Sequence, residues 1–352
     1  MKDSKGREID YMRISITDRC NLRCKYCMPY GVDCVSRWEI LSLEEVQAIA
    51  VCAAGLGIRH IKVTGGEPLV RKDCVQLVKM LKSVPGIEKV TITTNGVLLE
   101  RYLEPLMEAG LDGINISLDT LDPEVYERIT GKDELADVLS IIKRASSFPI
   151  PVKVNAVSID FDEFGGKKEA GAPAGWQQLA GLAKEYPVDV RFIEMMPIGY
   201  GKNFKTINHR QLLEEMRKIY PGLEKDERPH GYGPAVYYHV PGFQGSIGLI
   251  SAIHGKFCSS CNRVRLTSQG YLKTCLCYED GADLRAILRE GQERPEEELH
   301  YHWPEGKDPA DPLLQKRLKE VMEQAVYSKP DAHCFEKPSL ITEARNMISI
   351  GG

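Results

Sequence analysis

From about residue 9 to residue 220 the chain alternates short β-branched runs with longer stretches of helical apolar spacing. No other feature constrains its fold more, because that rhythm marks an α/β architecture with a parallel sheet. Strands are expected at Arg13–Thr17, His60–Thr64, Lys89–Thr94, Gly113–Leu118, Val152–Ile159 and Val188–Glu194. Helices are expected between them. Ser42 and Glu45 form a capping box ahead of Val46, Ile49 and Ala50, and the stretches from Lys72, Leu98, Leu135, Trp176 and His209 carry similar spacing. Six βα units are too few to close an eight-stranded barrel. They suit an open three-quarter (β/α)6 barrel with its chemistry at the C-terminal ends of the strands.

The unusual residues sit at those ends: Thr17-Asp18-Arg19-Cys20 after the first strand, Gly65-Gly66-Glu67-Pro68 after the second, Thr94-Asn95-Gly96 after the third, and Ser117 with Asp119 on the fourth. After Pro221 the sequence turns to Gly, Pro, Tyr and β-branched residues. A smaller irregular β region is therefore expected beyond a boundary near 221, and 352 residues is in any case a prior of about two domains, here 1–220 and 221–352. Residues 291–325 are polar and acidic with several prolines, then helical around Leu313–Val326, which composition reads as a solvated surface helix on a linker. Residues 163–175, rich in Gly, Ala and Lys, read as a mobile loop.

Lys and Arg number 46 against 50 Asp and Glu, a net charge of -4 that argues against a general affinity for DNA or RNA. Any anionic ligand must be met by a local cluster of positive charge. The longest uncharged stretch near the start, Val46–Ile58, is shorter than the roughly 18 residues a membrane helix needs, and the acidic N-terminus lacks the apolar run of a secretory signal. A cytoplasmic protein with no membrane partner is expected.

Eleven cysteines in 352 residues are too sparse for a disulfide scaffold, so their clustering points to metal or redox chemistry. Cys20, Cys24 and Cys27 make one group; Cys258, Cys261 and Cys275, with Cys277 close behind, make another. A structural zinc ion wants four protein ligands, and none completes the first loop at the usual spacing, since Cys34 lies seven residues on and His60 beyond a helix. Three thiolates on one loop suit a [4Fe-4S] cubane that leaves one iron without a protein ligand. In the second group Arg263 and Arg265 alternate between the cysteines, so on an extended segment both guanidiniums project from one face. A zinc ribbon finished by Cys277 is the alternative there.

The segment CNLRCKYC from Cys20 to Cys27 resembles the signature loop of the radical S-adenosylmethionine (SAM) superfamily. The resemblance implies that these cysteines hold a [4Fe-4S] cluster whose open iron takes the amino and carboxylate groups of SAM, and that an electron from the cluster splits SAM to a 5'-deoxyadenosyl radical. It also implies that Gly65, Gly66 and Glu67 meet the methionine amino group, where glycines let backbone carbonyls come close. Tyr26 would shield the cluster, Ser117 would be a polar contact to SAM, and Met196 would lie on its adenine side. Core packing is the plainer reading of Met196.

The second group, FCSSCNRVRLTSQGYLKTC, together with Met347-Ile348-Ser349-Ile350-Gly351-Gly352, resembles the GTP 3',8-cyclase family of molybdenum-cofactor biosynthesis. The likeness runs from Arg7 through Gly291 and resumes at Lys329-Pro330-Asp331-Ala332-His333. It implies a second [4Fe-4S] cluster on Cys258, Cys261 and Cys275 whose open iron binds the guanine of GTP. It further implies a GTP site lined by Arg13, Lys62, Thr93, Lys153, Arg263 and Arg265, with Gly351 and Gly352 reaching back into it. Lys62 stands where the pattern has arginine, which keeps the charge but gives up the bidentate fork. The implied lyase-class reaction removes hydrogen from C3' of GTP and joins that carbon to C8, giving 3',8-cyclo-7,8-dihydro-GTP in the first step of molybdopterin synthesis. No general base is needed; Arg263 and Arg265 would act catalytically by stabilising charge near the base. The implied partners are a reductant protein as electron donor, the next enzyme of the pathway, and a second copy in a homodimer. The alternatives are a radical SAM peptide-modifying enzyme with an auxiliary cluster, and a zinc-binding scaffold.

Overall fold

The computed structural model describes residues 1–31, 35–159, 175–292 and 301–350. Cys34, Gly351, Gly352 and all but the last residue of the loop expected at 163–175 lie outside the described residues. In the first part of the chain run β1 (Tyr11–Ser15), α1 (Leu43–Gly55), β2 (His60–Thr64), α2 (Cys74–Lys82), β3 (Lys89–Thr94), α3 (Leu99–Glu108), β4 (Ile114–Ser117), α4 (Pro123–Thr130), α5 (Leu135–Ala145), β5 (Val152–Ser158), α6 (Gly175–Glu185), β6 (Val188–Glu194) and α7 (His209–Ile219). Then follow β7 (Glu224–Lys225), β8 (Val236–His239), β9 (Ile247–Ile250), β10 (Arg263–Leu266), β11 (Tyr271–Lys273), β12 (Gly281–Asp283), α8 (Leu284–Leu288) and α9 (Pro312–Tyr327).

All twelve strands belong to one sheet, in the order β12-β11-β10-β1-β2-β3-β4-β5-β6-β9-β8-β7. The six expected strands form its centre, with β1 beginning two residues early because Tyr11 and Met12 already pair with His60 and Ile61. The chain beyond 221 does not build a layer of its own. It adds one parallel strand to each side of the six, β10 beside β1 and β9 beside β6, and antiparallel strands outside those. Side chains alternate across the parallel strands. Met12, Ile14, Ile61, Val63, Val190, Val264 and their neighbours face outward into the core under the helices. Arg13, Lys62, Asn115, Lys153, Arg191, Arg263 and Arg265 occupy the opposite parity, so the inner face is polar and cationic.

The capping box at the head of α1 forms as expected, the Ser42 hydroxyl accepting from Glu45 N at 3.2 Å and Glu45 Oε2 from Ser42 N at 2.8 Å. Glu45 is also fully buried against Arg289, which donates to both its oxygens at 2.6 Å and so clamps the end of α8 onto the barrel. The helix at 312–327 departs from its sequence reading. Leu314, Leu318, Met322 and Val326 fall at a spacing of four, lie on one face, and are buried in the main core, so α9 is a packed wall and not a solvated linker.

Candidate active site

A cavity of about 350 Å³ opens on the inner face of the sheet, and Cys20, Cys24, Cys27, Cys258, Cys261 and Cys275 all line it. The first three sit on the loop that leaves β1. That loop is held from two sides. Its backbone is bonded to the C-terminal end of α4, Arg23 N to Thr130 O at 2.8 Å and Lys25 N to Ile129 O at 3.0 Å. On the other side the ladder between β1 and β2 continues past the strands, with Gly66 N donating to Thr17 O and Glu67 N to Arg19 O, both at 2.8 Å.

This approach is why two glycines stand here. A Cβ on Gly65 would lie 2.7 Å from Thr17 O, and one on Gly66 would overlap Arg19 O. Both glycines line the cavity. Glu67 turns the other way, fully buried, its Oε1 accepting from Thr94 Oγ1 at 2.7 Å and Leu69 N at 3.1 Å and its Oε2 from Asn95 N at 2.7 Å. Burial pushes its carboxyl up to about 7 against those donors. Glu67 thus organises the loop after β3, and Asn95 from that loop donates to Asn21 Oδ1 at 2.8 Å. Gly66→Ala should force the cysteine loop away from β2; we expect SAM affinity to fall at least tenfold and stability by about 1–3 kcal/mol, read by equilibrium dialysis and thermal melting.

Burial raises the thiols of Cys20, Cys24 and Cys27, the last to about 12, with neighbouring thiols and Asp119 adding to the effect on Cys24. Such a site favours thiolates only with a cation among them. Among the described residues no three His, Cys, Asp or Glu side chains converge on one point, as a single zinc ion asks. A cubane distributes its thiolates over separate irons, so this donor set fits it. Tyr26 lies over the same wall, its hydroxyl donating to Asp119 Oδ2 at 2.6 Å while Asp119 Oδ1 accepts from Val157 N at 2.8 Å. Ser117, Thr93 and Met196 also line the cavity, and Met196 at the same time packs against the small apolar cluster that holds Ile198, Ala252 and Phe335.

Deeper in the lumen the strands set cations side by side. Arg265 of β10, Arg13 of β1 and Lys62 of β2 are direct register partners across three strands, and all but Lys62 line the cavity. Burial, then mutual repulsion, pulls the Arg13, Lys62 and Arg265 side chains below their usual ranges. Lys153 is inward but not at the cavity wall; its ammonium donates to His230 O and to Tyr237 Oη at 3.2 Å, and lies 3.7 Å from Asp189. Arg191, which the sequence analysis does not single out, joins this layer, bonded to Asn155 Oδ1 at 2.9 Å and to Asn115 Oδ1. Its alternation with Asp189 along β6 was the signal that could have found it.

The second cysteine group is held by the C-terminal segment. Arg7 donates to the carbonyls of Cys258, Pro330 and Asp331 at 2.9, 2.7 and 2.9 Å. Lys329 reaches the carbonyls of Arg263 and Thr274, and the fully buried Lys273 pairs with Glu343, which also takes Arg345. These ties bring His333, Phe335, Met347 and Ile348 to the cavity wall. Arg263 stacks over Phe257 at 5.0 Å. Cys277 is buried away from the cavity, its sulfur 3.1 Å from that of Cys334.

Two family models cover most of the chain, the Radical SAM superfamily over residues 14–162 and Molybdenum Cofactor Synthesis C over 188–335. The chain is 38% identical over 354 residues to the GTP 3',8-cyclase of Clostridium perfringens, covering all of both chains. It is 39% identical over 358 residues to that of Alkaliphilus oremlandii, again over the whole of both, and 42% over 306 residues to that of Moorella thermoacetica, covering 85% of this chain and 90% of the relative. Among solved structures Streptococcus suis SuiB bound to S-adenosylmethionine superposes with a TM-score of 0.58 at 16% identity, over 91% of this chain and 68% of that one, a likeness of fold alone. Identity of this extent along the whole length, over a barrel whose two cysteine groups meet in one cavity, means that the chain belongs to the GTP 3',8-cyclase family of the radical SAM superfamily.

Proposed function

We propose that this protein converts GTP to 3',8-cyclo-7,8-dihydro-GTP, the first step of molybdopterin synthesis, as a lyase-class enzyme. The observation that carries the reading is the single cavity bounded by one cysteine triad at each end, with Arg13, Arg263 and Arg265 between them. When bound, a [4Fe-4S] cluster and SAM supply a carbon radical able to take hydrogen from C3' of GTP. The chain's own work is positioning. Cys20, Cys24 and Cys27 hold that cluster; the backbone of Gly65 and Gly66, braced by Glu67, meets the amino end of SAM, with Tyr26, Ser117 and Met196 along the rest of it. Cys258, Cys261 and Cys275 hold a second [4Fe-4S] cluster against the guanine.

Arg13, Arg263 and Arg265, which line the cavity, meet the triphosphate by guanidinium forks, with Thr93 as a neutral contact. Lys62 and Lys153, set behind that wall on the same inner face, add their charge as points. Arg263 and Arg265 also stabilise charge near the base as C3' bonds to C8 and a further electron and proton complete the dihydro ring. Gly351 and Gly352, outside the described residues, complete the set of residues assigned to GTP. On this division residues 1–220 generate the radical and share in holding the triphosphate, and 221–352 hold the guanine. The setting is cytoplasmic, with a reductant protein as electron donor, the next enzyme of the pathway as recipient, and a homodimer as the assembly the family suggests.

The test is anaerobic turnover of GTP deuterated at C3'. Label appearing in 5'-deoxyadenosine, with cyclic product from a brown protein carrying about eight irons, supports the reading; SAM cleavage without transfer of that label overturns it.

Lys62 gives a further expectation. Burial first, then Arg191, Arg13, Lys153 and Arg263, hold its ammonium well below the lysine range. A bound triphosphate reverses the sign of those surroundings and restores the proton. GTP binding therefore takes up a proton, and affinity falls by up to about tenfold per pH unit as pH rises from the free to the bound pKa of Lys62. Lys62→Arg, charged throughout, should show a flatter profile, and Lys62→Ala should lose roughly 1.5–3 kcal/mol of binding. Equilibrium dialysis across neutral to alkaline pH reads both. Equal affinity in wild type and Lys62→Ala removes Lys62 from the site.

A further inference from the structure

His333 lines the cavity beside the second cysteine group and is 7% exposed. It follows closely on Pro330 and Asp331, whose carbonyls Arg7 holds together with that of Cys258, and this keeps the residue at the wall where those cysteines lie. The ring packs on Phe335, centroids 4.2 Å apart and planes within 19°. Phe335 N donates to Nδ1 at 3.4 Å. A ring whose Nδ1 accepts a hydrogen bond carries its proton on Nε2, so the free nitrogen is a donor. That Nε2 is buried and has no hydrogen-bond partner among the described residues. A buried donor left unmatched is costly, and it is retained where a ligand completes it.

We propose that His333 is a substrate-contacting residue whose Nε2–H donates to an acceptor on the purine. The inference rests on the reading that the second cysteine group faces the guanine. Along the guanine edges N1–H and the exocyclic amine are donors, which leaves O6, N7 and N3 as acceptors. Pairing with one of them would distinguish a purine in the correct orientation from one turned over, and orientation decides whether C8 faces C3' of the ribose.

The neighbours that could compete for this role are already engaged. Lys329 spends its ammonium on the carbonyls of Arg263 and Thr274, and Arg7 spends its guanidinium on the carbonyls around Cys258.

The experiment is equilibrium dialysis of the reconstituted, full-length protein with GTP and with three analogues that each lack one acceptor: 7-deaza-GTP, 3-deaza-GTP and 2-aminopurine riboside triphosphate. It compares wild type, His333→Ala and His333→Gln at matched iron content. His333→Ala should bind GTP roughly three- to tenfold more weakly, and His333→Gln, which keeps an N–H donor, should recover most of the loss. One analogue should bind wild type and His333→Ala alike, because its missing atom is the one His333 contacts. A loss of equal factor for GTP and all three analogues would mean a structural role and overturns the inference, as does GTP affinity equal to wild type in both variants. Wild type that binds and cyclises GTP under either of those outcomes leaves the proposed function standing; wild type that fails to bind GTP overturns both.

Discussion

Alanine at any one of Cys20, Cys24 or Cys27 should reduce dithionite-driven formation of 5'-deoxyadenosine to background. The three thiols share one loop and one cavity wall, and burial holds each of them neutral unless iron is present. No fourth donor stands ready to replace a lost one, since among the described residues no set of three such side chains converges on a point. A cubane left with two thiolates loses its integrity or its potential. The fold should survive, because the loop is carried by backbone bonds to Thr130, Ile129 and the Gly66–Glu67 segment, to which Cys20 Sγ adds long contacts from Leu22 N at 3.4 Å and Asn95 Nδ2 at 3.9 Å. The measurement is 5'-deoxyadenosine by chromatography, with thermal melting as the control. Retained cleavage in all three variants would sink the assignment of the first cluster.

The parts of this molecule legible in the sequence were those written in local pattern. β2, β3 and β6 fall at their expected residues and α1 begins at its capping box, because period and cap are local signals. α4 was missed although its marks were present: Asp122 caps Val125 N at 3.0 Å, Pro123 opens the helix and Gly131 ends it in the left-handed conformation with φ 77°. Eight residues were too few to show a period. The joining of β9 and β10 to the barrel could not be read at all, since neither the pairing of β9 with β6 across more than 50 residues nor that of β10 with β1 across more than 200 leaves a local trace. That pairing is what brings Arg265 level with Arg13. The same limit hid His333, whose lone nitrogen has meaning only once Arg7 has drawn Pro330 and Asp331 up to Cys258.

Removal of the second cysteine group should separate two activities that removal of the first abolishes together. Cys258 and Cys261 precede β10, and Cys275 follows β11, which runs antiparallel to it, so all three gather at the end of β10 opposite to the end of the strands that carries the first loop. None of them touches the Gly65–Glu67 turn. A Cys258→Ala, Cys261→Ala, Cys275→Ala variant should therefore hold about four irons instead of eight, still cleave SAM slowly, and form no cyclised nucleotide. Its C-terminal segment should stay in place, because Arg7 grips carbonyls there and Lys273 is paired with Glu343 independently of the sulfurs. Cys277→Ala is the matched control: its sulfur is buried against that of Cys334 and does not reach the cavity, so iron content and turnover should remain near wild type. Cyclic product from the triple variant, or the loss of four irons from Cys277→Ala, would mean that a different set of sulfurs holds the second centre. The proposed placement of guanine over that centre, and with it the alignment of C8 and C3', would then have to rest on other residues.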